Sequence, residues 1–281
     1  MTNSSTSTIT ASYPTIAEFR GKTVLIKYGG AAMENDHTRH LVCQEVAALH
    51  ALGIQVVVVH GGGKEISRMM ERVGLIPLFI DGLRVTDPEA MKITEMVLSG
   101  TINSDLASRI THAGAPALGL SGRDANLLQA KRLKGKNGED LGQTGEVAAT
   151  NTAPVVAALQ GGFIPVISPV GETESGEPLN LNADYAAAAI AGALHAETCV
   201  FLTDVAGVKK NGEVQPSLTH ADIENLIGDG TISGGMIPKV QCALRALQAG
   251  CDRAVICDAS RPLIISAALV GSPASGTTIS R

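Results

Sequence analysis

The sequence predicts an α/β fold in which a largely parallel sheet is covered by helices on both faces. Hydrophobic residues make up 44% of the 281-residue chain, whereas aromatic residues make up only 2% and Trp is absent, so the core must be aliphatic. Runs of Val, Ile and Leu alternate with alanine-rich segments of helical spacing, which is typical of buried parallel strands between helices. A chain of this length can form one large unit or two lobes.

The first part of the chain predicts a βαβα order. Apolar runs that end at glycines predict buried strands, and apolar residues at helical spacing up to Gly53 predict a helix with a C-terminal glycine. A polar Ser/Thr stretch over 1–12, expected to be flexible, and a short helix over 13–20 precede these elements. The predicted strands lie at 22–28 and 54–60, and the predicted helices at 36–52 and 64–73.

The rest of the chain continues the alternation of helices and strands. Apolar periodicity predicts one long helix over 88–111, and the Gly- and Lys-rich segment 126–151 predicts a hairpin-like excursion on the edge of the sheet. A new series of strands and helices begins near His195. We therefore expect two lobes, over 21–195 and 196–281, after the tail and short helix of 1–20. The other predicted strands lie at 116–120, 164–168, 198–203 and 253–257, and the other predicted helices at 152–159, 183–194, 221–226, 236–249 and 262–269.

Composition narrows the range of functions. A net charge of −5 and the scarcity of aromatic rings argue against nucleic acid as a partner, because nucleic acid needs a basic face and stacking side chains. No apolar run approaches the length that spans a bilayer, and the N-terminus lacks the features of a secretion signal, so neither a membrane nor export is expected. The five cysteines form no CxxC pair, which is typical of reduced core thiols in a cytoplasmic protein.

Lys27 interrupts an otherwise apolar strand and is followed almost at once by Gly29 and Gly30. A buried ammonium is costly without a counter-charge, so we expect a resident or visiting anion beside it, with phosphate as the leading candidate. The structural alternative is a lysine that extends to water at the end of its strand.

The strand predicted over 54–60 also ends in glycines and opens into a helix. Because the carboxyl ends of parallel strands meet at one edge of a sheet, Gly29 and Gly30 would join Gly62 and Gly63 in donating backbone N–H groups to a shared anion. Tight turns are the alternative explanation for either pair. The second loop lacks the third glycine of a dinucleotide fingerprint, and no P-loop is present, so neither a Rossmann dehydrogenase nor a P-loop protein is predicted.

Two further segments place polar groups at helix starts. Asn180 and Asn182 alternate with apolar residues before an alanine-rich helix, so they share a face, and Asp184 falls in the first helical turn. An N-cap role for Asn182 and a dipole role for Asp184 would explain both residues structurally. Lys239 follows a glycine turn at the start of another helix, where a lysine opposes the helix dipole and is better explained as a ligand.

Seven motifs occur in order along nearly the whole chain after the tail: KYGG from Lys27, VVHGGG from Val58, GLRVTD from Gly82, GLSGRD from Gly119, NLNAD from Asn180, LTDVAGV from Leu202 and GGMIPK from Gly234. They resemble those of acetylglutamate kinases, which belong to the amino acid kinase fold. The resemblance implies an open three-layer αβα sandwich of two lobes, with the acyl acceptor bound by the N-terminal lobe and the nucleotide by the C-terminal lobe. It implies ATP-dependent phosphorylation of the γ-carboxylate of N-acetyl-L-glutamate in arginine biosynthesis, with Mg²⁺ held mainly by the ATP phosphates.

The same resemblance implies roles for individual residues. Lys27 and Lys239 match lysines that flank the transferring phosphoryl group, and Asp184 is expected to hold both. Arg84 matches the residue that grips the substrate's α-carboxylate. The other groups implied to bind the acid are Asn180, Asn182, Gly62 and Gly63, and Gly29 and Gly30 are expected at the phosphates. Nucleotide contacts are implied for Asp204, Val205, Ala206, Gly207, Val208 and Lys209, and for Thr231, Ile232 and Ser233.

Departures from the family pattern leave regulation open. Arginine-inhibited members carry an N-terminal helix that interlaces dimers into a hexamer, and 13–20 resembles only its last part. Their effector segment carries His and Glu where this chain has Leu263 and Ala268. A homodimer, a hexamer, arginine as an effector and a signalling protein as a partner therefore all stay open. The alternative functions are a kinase of a related acid, such as acetylaminoadipate, glutamate or aspartate, a nucleotide kinase, and a non-catalytic ligand sensor of the same fold.

Overall fold

The computed structural model describes residues 15–272 and 274–281. The polar stretch 1–12 and the start of the helix predicted over 13–20 lie outside the described residues. The strands are β1 Thr23–Tyr28, β2 Gln55–His60, β3 Leu78–Ile80, β4 Leu83–Val85, β5 Ala117–Ser121, β6 Leu128–Lys134, β7 Asp140–Thr150, β8 Ile164–Ser168, β9 Val170–Glu172, β10 Pro178–Leu181, β11 Thr198–Thr203, β12 Lys209–Lys210, β13 Glu213–Val214, β14 Ser217–Thr219, β15 Arg253–Asp258 and β16 Thr277–Ser280. The α-helices are α1 Asp36–Ala51, α2 Gly63–Arg72, α3 Pro88–Glu95, α4 Asn103–His112, α5 Ala153–Gln160, α6 Ala183–Ala193, α7 His220–Gly228, α8 Met236–Gln248 and α9 Ile264–Leu269.

A central eight-stranded sheet has the order β14-β16-β15-β11-β1-β2-β8-β5. β16 pairs antiparallel with β15, and the other neighbouring strands of this sheet are parallel. β1 lies in the middle, with β2 on one side and β11 on the other. The carboxyl ends of these three strands therefore meet at the same edge, which is where the glycine loops begin.

Helices cover both faces of the sheet, as predicted. Along β1, Leu25 belongs to the core cluster that includes the buried alanines of α6 and α8. Its neighbours Val24 and Ile26 belong to a second cluster, which includes residues of α1, α4 and α9. The three-layer sandwich with a largely parallel, aliphatic sheet is confirmed, and the five cysteines are buried free thiols. A bilayer span would need a longer apolar helix than any that the described residues form.

The long helix predicted over 88–111 contains an interruption. A π-helical turn, Met96–Ile102, separates α3 from α4. The extra residue of a π-turn rotates the helix face that follows it. Met96, the first residue of the turn, is 58% exposed although it is apolar. Helical spacing of apolar residues does not reveal such an insertion.

The excursion predicted over 126–151 forms a hairpin, β6 with β7, but its predicted place on the edge of the central sheet is wrong. The hairpin joins β9 and β10 in a small closed barrel, in the order β10-β7-β6-β9. β9 has only three residues, too few to give a period-two signal, and the alternation at Asn180 in β10 does not indicate which strand it pairs with. Because β10 pairs with β7 at Asn180 and Thr144, the barrel delivers both side chains to one place.

Candidate active site

Lys27 lies at the carboxyl end of the central strand of the sheet. Side chains alternate along a strand, so Lys27 shares with Leu25 the face that α6 and α8 cover. Its ammonium lies 2.8 Å from the carboxylate of Asp184, which is in the first turn of α6. The lysine side chain is 9% exposed and the aspartate side chain 30% exposed. The ammonium thus has a resident counter-charge instead of extending to water.

The two glycine loops lie side by side next to this ion pair. Gly61 donates its N–H to the carbonyl of Tyr28 at 2.8 Å, which joins the end of β2 to the end of β1. A Cβ atom added at Gly29 would lie 2.7 Å from the Lys27 ammonium nitrogen and 3.5 Å from the Gly61 Cα. Gly30 has a φ angle of +73°, which glycine adopts without strain. Glycine at position 29 therefore leaves the space that the ammonium occupies.

A cavity of about 940 Å³ opens beside the loops, and Gly30, Gly62 and Gly63 line it. Gly62 is the N-cap of α2 and offers no side-chain cap. The first N–H groups of an α-helix have no partner within the helix, and the helix dipole favours negative charge at this end. The cavity therefore has a wall of backbone donors suited to an anion.

Arg84 lines the same cavity from β4 and is only 6% exposed. Its guanidinium donates to the carbonyl of Gly63 at 2.8 Å and to the hydroxyl of Ser67 at 2.9 Å, and its central carbon lies 4.7 Å from the centre of the Phe79 ring. Among the described residues no carboxylate forms an ion pair with it, and burial lowers the pKa of the guanidinium from its usual range. A buried cation needs a counter-charge, and because the partners of this one are all neutral, it is well suited to bind an external anion.

A network of hydroxyl groups, which was not predicted from the sequence, holds the backbone carbonyl of Arg84. The Thr144 hydroxyl donates to the Arg84 carbonyl, and it therefore accepts from the Thr86 hydroxyl, 2.9 Å away. Thr86 in turn accepts from the side-chain amide of Asn180 at 3.1 Å. Asn180 is thus tied to the arginine through two buried threonines. The signal for Thr86 was its place in the GLRVTD motif, whereas nothing in the sequence marks Thr144.

Asn182 acts as the N-cap of α6. Its side-chain oxygen accepts the backbone N–H of Asp184 at 2.9 Å and that of Tyr185 at 3.3 Å. This contact fixes the first helical turn, which carries the aspartate that pairs with Lys27. The structural role foreseen for Asn182 as an N-cap is confirmed, and its assignment to substrate binding stays a prediction.

Lys239 lies at the start of α8, and its ammonium is 3.4 Å from the carboxylate of Asp204. The expectation that Asp184 holds both lysines is therefore wrong in this structure, because Asp184 pairs with Lys27 and Asp204 pairs with Lys239. Asp204 directly follows β11, at the same sheet edge as the glycine loops. Its own backbone N–H and then the Lys239 ammonium hold the pKa of the Asp204 carboxyl below its usual range.

Each of the two segments expected at the nucleotide contains both exposed and buried side chains. The side chains of Lys209, Thr231 and Ser233 are exposed. In contrast, Val208 and Ile232 belong to the hydrophobic core, and the Val208 N–H donates to the Thr277 hydroxyl at 2.8 Å. The Val208 carbonyl accepts from the Gln215 N–H at 2.8 Å, and the Ile232 N–H donates to the Leu226 carbonyl at 2.7 Å, so the backbone of Val208 is already hydrogen-bonded on both sides.

A buried histidine lies directly before the second glycine loop. His60 is fully buried, its Nδ1 lies 2.9 Å from the Gly61 carbonyl, and its Nε2 lies 3.1 Å from the side-chain nitrogen of Asn103. Burial lowers the pKa of His60 from 6.5 to about 4. The imidazole is therefore neutral near pH 7.

This pKa predicts how stability depends on pH. Between about pH 6.5 and 4 the unfolded chain binds a proton at this site and the folded protein does not, so the free energy of unfolding falls as pH falls, by at most about 1.4 kcal/mol per pH unit. Urea unfolding of the wild type and of a His60→Asn variant measures this contribution. The difference in stability between the two proteins should shrink as pH drops from 7 to 5. A pH-independent difference would contradict it.

Nowhere in the described parts of the chain do three or more His, Cys, Asp or Glu side chains gather in a way that could hold a metal ion. What gathers instead at the sheet edge is a buried ammonium, two glycine loops and a buried guanidinium. On a three-layer α/β sandwich these groups are suited to a phosphotransferase whose acceptor is a small anion.

The chain belongs to the amino acid kinase family, whose model matches residues 22–258. It is 42% identical over 276 residues to the acetylglutamate kinase of Stutzerimonas stutzeri, covering 95% of this chain and 92% of that protein. It is 45% identical over 261 residues to the acetylglutamate kinase of Citrifermentans bemidjiense, covering 90% and 89%. The crystal structure of N-acetylglutamate synthase from Neisseria gonorrhoeae, complexed with coenzyme A and N-acetyl-glutamate, has a TM-score of 0.86 at 25% identity, covering 99% of this chain and 64% of that one.

Proposed function

We propose that this protein transfers the γ-phosphoryl group of ATP to the γ-carboxylate of N-acetyl-L-glutamate. The observation that carries the proposal is Arg84, a buried guanidinium without a carboxylate partner among the described residues, in a cavity that the Gly62 and Gly63 backbone also lines. The planar fork of arginine suits a carboxylate. Relatives of 42% and 45% identity that carry the name acetylglutamate kinase support the same substrate.

We place the acid in the N-terminal lobe, over 21–195. This proposal is supported by the cavity, whose lining residues all lie between Gly30 and Leu106. Arg84 would hold the α-carboxylate. Asn180 is tied to Arg84 through the threonines but neither it nor Asn182 lines the cavity, so their contact with the acid stays a prediction. The γ-carboxylate would then point toward Lys27 and the glycine loops. A carboxylate is already an anion, so the reaction needs no general base.

Catalysis on this proposal consists of positioning and charge stabilisation. A γ-carboxylate oxygen attacks the γ-phosphorus, the bond from that phosphorus to the oxygen bridging to the β-phosphate breaks, and ADP leaves with the electron pair. The approach brings negative charges together. Lys27 and Lys239 would flank the transferring group, and one unit charge about 4 Å from another contributes about 4 kcal/mol at an effective dielectric of 20.

The nucleotide is placed in the C-terminal lobe, over 196–281, against the segment that begins at Asp204 and the segment of Thr231, Ile232 and Ser233. The exposed side chains in both segments and the Lys239–Asp204 pair at the sheet edge support this placement. Asp184 and Asp204 each already pair with a lysine, so Mg²⁺ is proposed to be held mainly by the phosphates. There it would neutralise part of the phosphate charge.

A hydroxylamine trapping assay tests the function. Purified protein with ATP, Mg²⁺ and N-acetyl-L-glutamate should yield a hydroxamate, and omission of ATP should abolish it. No trapped acyl phosphate at saturating substrate would leave a ligand sensor as the better account. Acetylaminoadipate, one methylene longer, should be a poorer substrate by about 10–200-fold in kcat/KM, and a preference for it would overturn the assignment to acetylglutamate.

Arg84→Lys is expected to raise KM for N-acetyl-L-glutamate by about 10–10²-fold with a smaller change in kcat, because it keeps the charge but loses the bidentate fork. Initial rates at varied acid and saturating ATP measure this. Arg132→Lys is the matched control, since Arg132 is an exposed arginine paired with Glu177 away from the cavity. An unchanged KM in the Arg84 variant would remove this residue from the substrate site.

We also propose that the protein is a homo-oligomer, built from a dimer. β5 is an edge strand of the central sheet, and Leu118 on β5 and Phe163 just before β8 are each 41% exposed. An open strand edge with apolar side chains is normally covered. Solution mass with and without arginine decides between monomer, dimer and hexamer, and a monomer would contradict the proposal.

A further inference from the structure

His60 and Asn103 form a buried polar pair that the proposed mechanism does not use. His60 is the last residue of β2 and Asn103 the first residue of α4, and they are 0% and 3% exposed. Buried polar groups that bond only to each other and to backbone normally fix local geometry. What they fix here is the peptide between Gly61 and Gly62.

The direction of the hydrogen bonds follows from the two backbone carbonyls that Asn103 contacts. Its side-chain nitrogen lies 2.8 Å from the Val166 carbonyl and 3.4 Å from the Leu120 carbonyl. Carbonyl oxygens only accept, so the NH₂ group of Asn103 must face them. One of its two hydrogens goes to the nearer carbonyl, that of Val166, and the other goes to His60 Nε2 at 3.1 Å. A neutral imidazole then carries its proton on Nδ1, which donates to the Gly61 carbonyl at 2.9 Å.

The backbone N–H and the backbone carbonyl of Gly61 are therefore both held by hydrogen bonds. Its N–H donates to the Tyr28 carbonyl at 2.8 Å, and its carbonyl accepts from His60. In a trans peptide the N–H points opposite to the carbonyl, so the Gly62 N–H points away from His60. Gly62 lines the cavity, and its N–H donates to no acceptor among the residues that the structure describes.

We propose that His60 is a positioning residue that, held in its Nδ1–H tautomer by Asn103, orients the Gly62 N–H toward the transferring phosphoryl group. The inference rests on the proposed function for the identity of the anion. A glycine–glycine peptide rotates easily, and the rotated form would turn the Gly61 carbonyl oxygen toward the phosphate. The hydrogen bond from His60 opposes that rotation, so the donor is in place before the charge develops.

The π-helical turn supports this arrangement from the other side. It ends at Ile102, directly before Asn103, and a Cβ atom added at Gly62 would lie 2.4 Å from Ile102 Cδ1 and 2.7 Å from Leu98 Cδ2. The turn thus packs on the glycine whose N–H is oriented and places the asparagine that sets the tautomer. π-turns often occur at functional sites.

Two variants of His60 separate positioning from packing. The amide nitrogen of asparagine can take the place of Nδ1, whereas that of glutamine reaches the place of Nε2. His60→Gln is expected to lower kcat on the order of 10–10²-fold, and His60→Asn to retain more of it although its side chain is smaller. KM for the acid should change less than about threefold in both, because Arg84 is untouched. Equal losses of kcat, or a more active glutamine variant, would overturn the proposal.

A second measurement does not depend on activity or on the folding of the variants. The ¹⁵N chemical shifts of the His60 ring in the wild-type protein at pH 7 report the tautomer. Protonated Nδ1 with unprotonated Nε2 is expected, and the opposite tautomer would overturn the proposal. A wild-type protein that forms no acyl phosphate would instead refute the proposed function, so the two failures are distinguishable.

Discussion

The Lys27→Ala variant is expected to lower kcat on the order of 10²–10³-fold while the protein stays folded. Lys27 is a buried cation beside the glycine loops, and its charge is desolvated on the face that α6 and α8 cover. A charge in such an environment stabilises a transition state more than one in water does. The loss should appear in kcat measured at saturating ATP and acid.

Stability is the necessary control for this variant. Breaking a fully buried ion pair costs about 3–5 kcal/mol, but Asp184 keeps 30% exposure and lies in the first turn of α6, where the helix dipole favours a carboxylate. We therefore expect a smaller loss, measurable by urea unfolding. Lys22→Ala is the matched control, because Lys22 is also ion-paired, with Glu197 at 2.8 Å, but precedes the opposite end of β1. Its kcat should stay at the wild-type value.

Two further variants test whether the position and shape of the Lys27 ammonium matter for turnover. Lys27→Arg should restore little activity, since a planar fork cannot take the place of a compact ammonium beside Gly29. Gly29→Ala keeps the lysine but adds a methyl carbon only 2.7 Å from its ammonium nitrogen. The ammonium must move, so kcat should fall by less than in Lys27→Ala. Near-wild-type turnover in Lys27→Ala would remove this lysine from the mechanism.

The local parts of the site could be predicted from the sequence, because strand, glycine and helix-cap signals act over a few residues. Lys27 in an apolar run, the glycines after β1 and β2, and Asn182 as an N-cap are of this kind. Asn180 and Arg84 each lie in a recognisable sequence motif, but the sequence does not show that hydrogen bonds connect them. The two threonines between them lie on β7 and just after β4, and only the barrel brings these together.

The contacts that the sequence could not predict depend on distances across the fold. Asp184 was expected between both lysines because all three match family motifs, and motif order contains no distances. Asp204 follows β11 directly and so meets Lys239 from the neighbouring loop, which leaves Asp184 to Lys27. The tautomer of His60 likewise depends on Asn103, 43 residues away, which the π-turn places.

Lys239→Ala is the second variant expected to lower kcat on the order of 10²–10³-fold, with little change in stability. Its partner Asp204 is 60% exposed and the pair is 3.4 Å apart, and such exposed pairs contribute only about 0–1 kcal/mol to folding. A large loss of kcat with an unchanged urea midpoint would therefore assign the ammonium to the transition state. Lys210→Ala, an exposed lysine of the same half of the chain, is the matched control and should keep wild-type turnover.

The pair with Asp204 adds a second test of the same lysine. Asp204→Asn removes the resident partner but leaves the ammonium, so any loss of turnover should be smaller than in Lys239→Ala. Because Lys239 is 27% exposed and Lys27 only 9%, added salt should screen the Lys239 contribution more strongly. The ratio of wild-type to Lys239→Ala kcat should fall with ionic strength, while the corresponding ratio for Lys27→Ala changes less. Equal salt dependence of the two ratios would mean that both lysines act in equally buried surroundings once substrates are bound.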